Sequence, residues 1–156
     1  MNQITSQELA DFLEQANKST YANKDAPKAS SSRLKSEDYH FEKDGLVYHD
    51  TYFGSRDFIG GEMVYKNSEP VWGMNYYGYI LSDKTDHKEL YAFLRDALIQ
   101  TYSDIIPVRG PKNHQQGDWE YTNTVEGELN RFTGTEEIYR AGVLVYRCYY
   151  HGGFIR

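Results

Sequence analysis

The stretch PVWGMNYYGY at residues 70–79 returns about half a chain later, with different polar residues, as LVYRCYYHGG at residues 144–153. In both stretches, aromatic and apolar residues alternate with other residue types, which is the period of a β-strand buried on one face. The two stretches share Tyr76/Tyr150 and Gly78/Gly152. A strand that occurs twice predicts that the structural unit around it also occurs twice.

The sequence before each of these strands repeats as well. Segment 8–22 aligns with segment 89–103 without a gap, and segment 48–65 aligns with segment 121–139 with one insertion. The identical residues are Glu8/Glu89, Leu9/Leu90, Phe12/Phe93, Leu13/Leu94, Thr20/Thr101, Tyr21/Tyr102, Tyr48/Tyr121, Thr51/Thr124, Gly54/Gly127, Phe58/Phe132, Gly60/Gly134, Glu62/Glu136 and Tyr65/Tyr139. This many ordered matches indicate two copies of one unit.

We place the first copy at about residues 5–80 and the second at about 86–155, within a single domain of residues 1–156. Each copy is predicted to begin with an amphipathic helix, because four apolar residues recur at i, i+3, i+4 and i+7. These residues are Leu9, Phe12, Leu13 and Ala16, and Leu90, Phe93, Leu94 and Ala97. Thr5-x-x-Glu8 and Asp86-x-x-Glu89 precede them as capping-box-like helix starts.

Three alternating segments rich in Tyr, Val and Phe follow each helix and predict antiparallel strands. A short additional strand before Asp44-Gly45 is predicted from the hairpin turn that these two residues favour. Segment 22–37, which is rich in Ser, Ala and Lys, is predicted to be a long loop. The fold class is therefore α+β: a tandem duplication of an α-β-β-β(-β) unit, with antiparallel meander sheets each covered by one helix. The copies share one continuous sheet or face each other, and the sequence favours neither.

Composition limits the classes of partner. The net charge of −6 argues against nucleic-acid binding, which depends on clustered Lys and Arg. No apolar run approaches the roughly 20 residues that a membrane span needs, and no signal peptide opens the chain. Cys148 is the only cysteine, so no intrachain disulfide can form. We expect a cytoplasmic protein with no direct nucleic-acid partner and no membrane partner.

The candidate site follows from strand parity, which places Glu62 on the face that carries Phe58 and Val64. A glutamate on an apolar face is costly to bury unless it is paired or hydrogen-bonded, and this one recurs as Glu136. Our hypothesis is a concave site in which acidic and aromatic side chains bind a small polar or cationic ligand. The ligand-binding candidates are Glu62, Glu136, Asp50, Trp72, Tyr48, Tyr76, Tyr121 and Tyr150, and the basic candidates are Arg33 and Arg109. In the alternative, both glutamates lie at strand ends, exposed or paired with Arg33, Arg109 or Arg131.

The remaining chemistry predicts neither a metal site nor a cofactor, and no catalytic residue is assigned. Cys148 and His151 have side chains on opposite faces of a strand, which indicates a buried structural cysteine. His40 and His49 flank the predicted hairpin, but their spacing matches no zinc signature. The glycine pairs lie in or after strands, whereas a phosphate-binding loop precedes a helix.

Five motifs in order, YHDTYFG, F-x-GGE-x-VY, PVWGMNYYG, VRGP and EEIY…VYRCYYHGG, resemble a bacterial family known as a domain of unknown function. The resemblance spans about residues 30–156. Members of that family occur alone or C-terminal to a helix-turn-helix in Xre-type transcriptional regulators, which implies a sensing or interaction module. Only one short helix precedes the strands here, so DNA binding is not carried over.

These observations favour a non-enzymatic module that senses or binds a small ligand. Two alternatives stay open. One is a protein-interaction module that uses exposed Tyr77, Tyr79 and Tyr149 as anchors. The other is an enzyme in which Glu62 and Glu136 act as acid and base, which requires unequal environments for the two carboxyl groups.

Overall fold

The computed structural model describes residues 4–156, and this range contains two α-helices and eight β-strands. The helices are α1 (Ser6–Ser19) and α2 (His87–Leu98). The strands are β1 (Glu37–Lys43), β2 (Leu46–Gly54), β3 (Phe58–Lys66), β4 (Glu69–Ile80), β5 (Asn113–Gln116), β6 (Trp119–Glu128), β7 (Arg131–Arg140) and β8 (Val143–Phe154). The structure is therefore a mixed α and β fold, with one helix ahead of each set of four strands.

All eight strands form one antiparallel sheet in the order β1-β2-β3-β4-β8-β7-β6-β5. The last strands of the two halves, β4 and β8, pair at the centre of the sheet. Tyr76 is directly opposite Tyr150 there, and Tyr77 is opposite Tyr149. Of the two arrangements that the sequence left open, the structure has the continuous sheet.

Both helices begin where the sequence predicts. The Thr5 hydroxyl accepts a hydrogen bond from the Glu8 amide at 3.1 Å, and the Glu8 carboxylate accepts one from the Thr5 amide, which confirms the capping box. Asp86 caps α2 by accepting from the amides of Lys88 and Glu89. Neither helix of the described range is long and apolar enough to span a membrane.

The two faces of the sheet differ in burial, as the alternation predicts. We call the buried side the helix face, because its side chains share one apolar core with the helices. The buried residues of this core include Leu9, Phe12, Leu13, Ala16, Leu90, Phe93, Leu94, Ala97, Trp72, Met74, Tyr76, Ile80, Tyr146, Cys148 and Tyr150. The opposite side, the open face, exposes 45% of Tyr77 and 49% of Tyr149.

The segment that leads from α1 to β1 has turns and one isolated bridge, from Ala29 to Asp38, but no helix or strand. Asp38 holds this segment against the sheet. Its carboxylate accepts hydrogen bonds from the hydroxyls of Ser32 (2.6 Å), Ser36 and Thr51 (2.7 Å) and lies 2.6 Å from the His49 ring. Burial opposes ionisation, but these hydrogen bonds outweigh it and hold the pKa of Asp38 well below its usual 3.8.

Candidate functional site

Two pairs of polar residues lie on the helix face, one pair in each half of the sheet. Asp50 of β2 is opposite Glu62 of β3, and Asn123 of β6 is opposite Glu136 of β7. All four side chains are at most 5% exposed. Both glutamates lie in mid-strand and not at strand ends, whereas the pairing with Arg109 that the same alternative proposed is confirmed for Glu136. The four polar side chains are therefore buried within the sheet rather than at its rim.

Gly60 and Gly134 each lie two residues before one of the glutamates, and the absence of a side chain there makes room for a tyrosine. A Cβ atom added to Gly60 would lie 2.6 Å from the Tyr76 hydroxyl oxygen. A Cβ atom at Gly134 would overlap the ring of Tyr150. Each tyrosine can therefore lay its hydroxyl over the neighbouring strand, next to the polar pair.

Glu136 has a complete set of hydrogen-bond partners. Arg109 donates two hydrogen bonds, from Nε to Oε2 at 3.1 Å and from Nη2 to Oε1 at 2.8 Å. Tyr121 donates to Oε2 at 2.6 Å, and Tyr146 donates to Oε1 at 2.9 Å. Burial and then the nearby charge of Glu136 raise the pKa of Tyr121, so that its hydroxyl stays a donor. Both carboxylate oxygens of Glu136 thus accept two hydrogen bonds each.

The neighbour of Glu136 is satisfied as well. The Tyr150 hydroxyl donates to Asn123 Oδ1 at 2.5 Å, and Asn123 Nδ2 donates to the carbonyl of Gly110 at 3.0 Å. The Gly110 amide donates in turn to the Tyr121 hydroxyl at 3.1 Å. Arg109 and Gly110 belong to the connection between α2 and β5, so this one connection completes the polar network of the second half.

The corresponding pair in the first half is not completed in this way. Asp50 Oδ1 accepts a hydrogen bond from the Tyr76 hydroxyl at 2.6 Å. Glu62 Oε2 is buried and has no hydrogen-bond partner among residues 4–156. Arg33, which precedes β1 as Arg109 precedes β5, is exposed and borders a groove on the open face. Glu62 therefore lacks the arginine that Glu136 has.

Burial changes the acidity of this pair. Desolvation raises the pKa of Glu62 to about 8, and the negative charge of Asp50 adds to the rise. Desolvation also raises the pKa of Asp50 to about 6, although the hydrogen bond from Tyr76 and the positive charge of Arg109 oppose it. Since the two groups are neighbours, they titrate as a pair. The pair therefore keeps a proton up to a higher pH than two exposed carboxyl groups would.

A cavity of about 400 Å³ opens over these two carboxyl groups. The buried residues Tyr48, Asp50, Glu62 and Tyr76 form its floor. Its walls include the aromatic residues Tyr21, Tyr52, Phe58 and Tyr91 together with polar, charged and aliphatic side chains. Its rim carries the exposed residues Lys28, Glu37, His87 and Lys88. The guanidinium of Arg109, which also borders the cavity, lies 5.5 Å from the centre of the Tyr76 ring.

The candidates that the sequence named fall into three groups in the structure. Tyr48, Asp50, Glu62, Tyr76 and Arg109 line the cavity. Glu136, Tyr121 and Tyr150 belong to the polar network of the second half and do not line the cavity. Trp72 is fully buried in the core, where its indole donates to the carbonyl of Leu129 at 3.0 Å, and Arg33 lies at the open face.

Most of the lining residues were not among the sequence candidates, and they include Tyr21, Tyr52, Tyr91 and Arg95. Tyr52 has the strand parity of Asp50, so the alternation contained the signal that would have found it. Tyr21 lies in the turn after α1, whereas Tyr91 and Arg95 lie in α2, and only the docking of the helices brings these residues to the cavity. Arg95 places its guanidinium 4.4 Å from the centre of the Tyr21 ring.

The other residues that the sequence singled out lie away from this cavity. Cys148 is buried and His151 is exposed, which confirms that they lie on opposite faces; burial raises the pKa of the Cys148 thiol to about 12. His40 and His49 are opposite each other across β1 and β2, as predicted. His49 contacts Asp38, so it belongs to the contacts that hold the segment before β1.

Comparison with known families adds the sequence context of this site. The model of a family described as a domain of unknown function (DUF5680) matches residues 50–155, about two thirds of the chain. The chain belongs to the DUF5680 family. The DUF5680 match includes Asp50, Glu62, Arg109 and Glu136, whereas Tyr48 and the whole of α1 precede it. Searches of the curated proteins and of the solved structures return no match for the chain.

Proposed function

We propose that the cavity over Asp50 and Glu62 binds a small cationic molecule and that the protein is a non-enzymatic binding or sensing module. The observation that carries the proposal is the buried Oε2 atom of Glu62, which has no partner in residues 4–156. An unsatisfied buried polar atom costs about 1–3 kcal/mol, so a ligand that donates to it recovers this free energy. Native proteins contain few such atoms, and they often mark a functional position.

The surroundings of Glu62 favour a cation among the classes of polar ligand. Asp50 lies beside it and supplies negative charge, and the aromatic walls offer ring faces that attract positive charge. The volume of about 400 Å³ is within the range of small-molecule sites. A cation bound here would also favour the ionised form of Glu62, which releases a proton into solution near neutral pH.

We also propose that the two halves are copies of one unit that have diverged in this region. Equivalent places hold Glu62 and Glu136, and in each half a tyrosine from the central strands donates to the neighbour of that glutamate. In the second half the Arg109 side chain contacts Glu136, whereas in the first half the cavity lies next to Glu62. Divergence of this kind would leave one binding site rather than two. If the resemblance to domains behind helix-turn-helix segments extends to function, this site would be the sensing element.

The test is a thermal-shift and calorimetric comparison of the wild type with Glu62→Gln. We expect small organic cations, offered as alkylammonium, quaternary ammonium and guanidinium salts, to raise the melting temperature of the wild type. Matched neutral and anionic compounds should not. Glu62→Gln should lose this response, whereas the exposed control Glu128→Gln should keep it. If no cation binds, or if Glu62→Gln responds like the wild type, the proposal is wrong.

A second candidate function is protein interaction through the open face. Tyr77 and Tyr149 are opposite each other at the centre of the sheet and are about half exposed, and Ile59 beside them is 55% exposed. This patch lies on the central strand pair, so it suits a twofold contact with a second copy of the chain. Sedimentation at increasing concentration should then show dimers for the wild type and monomers for a Tyr77→Ser/Tyr149→Ser variant. Wild-type protein that stays monomeric would exclude this contact.

A further inference from the structure

We propose that the cation bound over Glu62 is a guanidinium group that is part of a small organic molecule. This inference rests on the proposed function, because it names the chemical class of the ligand for that cavity. It starts from a comparison that the protein itself offers: one of its two buried glutamates already binds a guanidinium, and the other does not.

Glu136 shows how this arrangement of side chains holds a guanidinium. Arg109 donates two hydrogen bonds to the carboxylate, at 3.1 Å and 2.8 Å. Both side chains of this ion pair are buried. Tyr121 supplies one more donor from the strand beside Glu136. The guanidinium also lies over the ring of Tyr76, a tyrosine of the first half. A planar cation that fits a carboxylate and an aromatic face is the property that distinguishes arginine from lysine.

The surroundings of Glu62 match those of Glu136 in four respects. Tyr48 adjoins Glu62 as Tyr121 adjoins Glu136, and burial together with the charge of Glu62 raises the pKa of the Tyr48 hydroxyl, so it remains a donor. The other correspondences are Asp50 with Asn123, Tyr76 with Tyr150, and Gly60 with Gly134. Two donors differ: no described side chain donates to Glu62 Oε2 in the way that Arg109 donates to Glu136, and the position of Tyr146 is held in the first half by Trp72, which donates to the carbonyl of Leu129.

Asp50 occupies the position in the first half that Asn123 occupies in the second half, and this difference adds to the preference for a guanidinium. Two carboxyl groups now lie side by side across β2 and β3, and the Tyr76 hydroxyl donates to only one oxygen of Asp50. A guanidinium presents five N–H groups in one plane, so it can donate to both carboxyl groups at once. An ammonium offers three donors from a single nitrogen. The planar group can also stack on the aromatic walls.

The rest of the cavity limits the size and the charge of the substituent that the guanidinium carries. A volume of about 400 Å³ accommodates an organic substituent as well as the guanidinium. Lys28 at the rim pairs with Glu37 at 2.6 Å, but Lys88 and Arg95 also line the cavity, so a second positive charge on that substituent would be repelled. The fitting class is a monosubstituted guanidine whose substituent is neutral or acidic.

Isothermal titration calorimetry with three compounds of similar length tests this inference. Propylguanidinium, butylammonium and propylurea share a short alkyl chain and differ in the charge and donor geometry of the head group. We expect propylguanidinium to bind at least about tenfold more tightly than butylammonium, because only the former can make a two-point contact. Propylurea, which is planar but neutral, should bind more weakly than either.

Variants of the two carboxyl groups complete the test. Glu62→Gln should weaken propylguanidinium binding by about tenfold or more, and Asp50→Asn, which reproduces the asparagine of the second half, should weaken it less. The control Glu128→Gln should bind like the wild type. Butylammonium that binds as tightly as propylguanidinium, with the same dependence on Glu62, would overturn the guanidinium class and leave the proposed function intact. Absence of binding by either cation would overturn both.

Discussion

Replacement of Arg109 by methionine is expected to lower the free energy of unfolding by about 3–5 kcal/mol, the range for removal of one partner from a buried ion pair. The variant would leave Glu136, which is fully buried, with two tyrosine hydroxyls and no positive charge. Urea unfolding at pH 7 measures the change.

Two further variants show whether the loss comes from an uncompensated charge. Arg33→Met removes an exposed arginine from the matching position of the first half, so its effect should stay within about 0.5 kcal/mol. The double variant Arg109→Met/Glu136→Gln should be less destabilised than Arg109→Met alone, because no buried charge is left without its partner. Equal effects of Arg109→Met and Arg33→Met would show that the buried pair does not stabilise the fold.

The second large effect concerns pH. In the ligand-free protein, the free energy of unfolding should decrease as the pH rises from about 4.5 to about 8, the interval between the ordinary and the folded-state pKa of Glu62. Below this interval both states hold the proton; within it only the folded state does, so each pH unit destabilises the folded state by about 1.4 kcal/mol at most. Above about pH 8 the contribution is constant.

The variant Glu62→Gln isolates this contribution from the other titrating groups. Asp50, whose folded-state pKa is about 6, adds a similar slope at lower pH, and Arg109 and the tyrosines Tyr48 and Tyr76 face the same cavity without titrating between pH 5 and 9. The difference in stability between Glu62→Gln and the wild type should therefore increase from pH 5 to pH 9 in favour of the variant. Urea unfolding at pH 5, 7 and 9 measures it. A difference that does not change with pH would contradict a protonated Glu62.

Local sequence patterns predict much of this structure. The period of two in the strands places Glu62, Tyr76 and Tyr150 on the buried face, because adjacent side chains in a strand must point to opposite sides. The period of 3.6 and the capping residues locate both helices. These features depend on neighbours a few residues apart, and the sequence contains them directly.

The features that the sequence did not predict depend on distant parts of the chain. Periodicity does not specify which sheet edges pair, so it could not join β4 to β8 into one sheet. Arg33 and Arg109 look alike in sequence, but only Arg109 enters the core, because the path of an irregular connection decides which side chain points inward. Tyr21 and Tyr91 reach the cavity only after the helices dock on the sheet. The acidic floor could therefore be predicted from the sequence, whereas the entry of Arg109 rather than Arg33 into the core could not.

The central position of β8 has a consequence for how the chain can fold during synthesis. Trp72 of β4 pairs with Phe154 of β8, so the middle of the sheet closes only after β8 has left the ribosome. Until then β4 is an unpaired edge, with free backbone donors and acceptors that attract other strands. Loss of the last strand would divide the sheet into two smaller ones rather than shorten it at one side. The integrity of both halves therefore depends on β8.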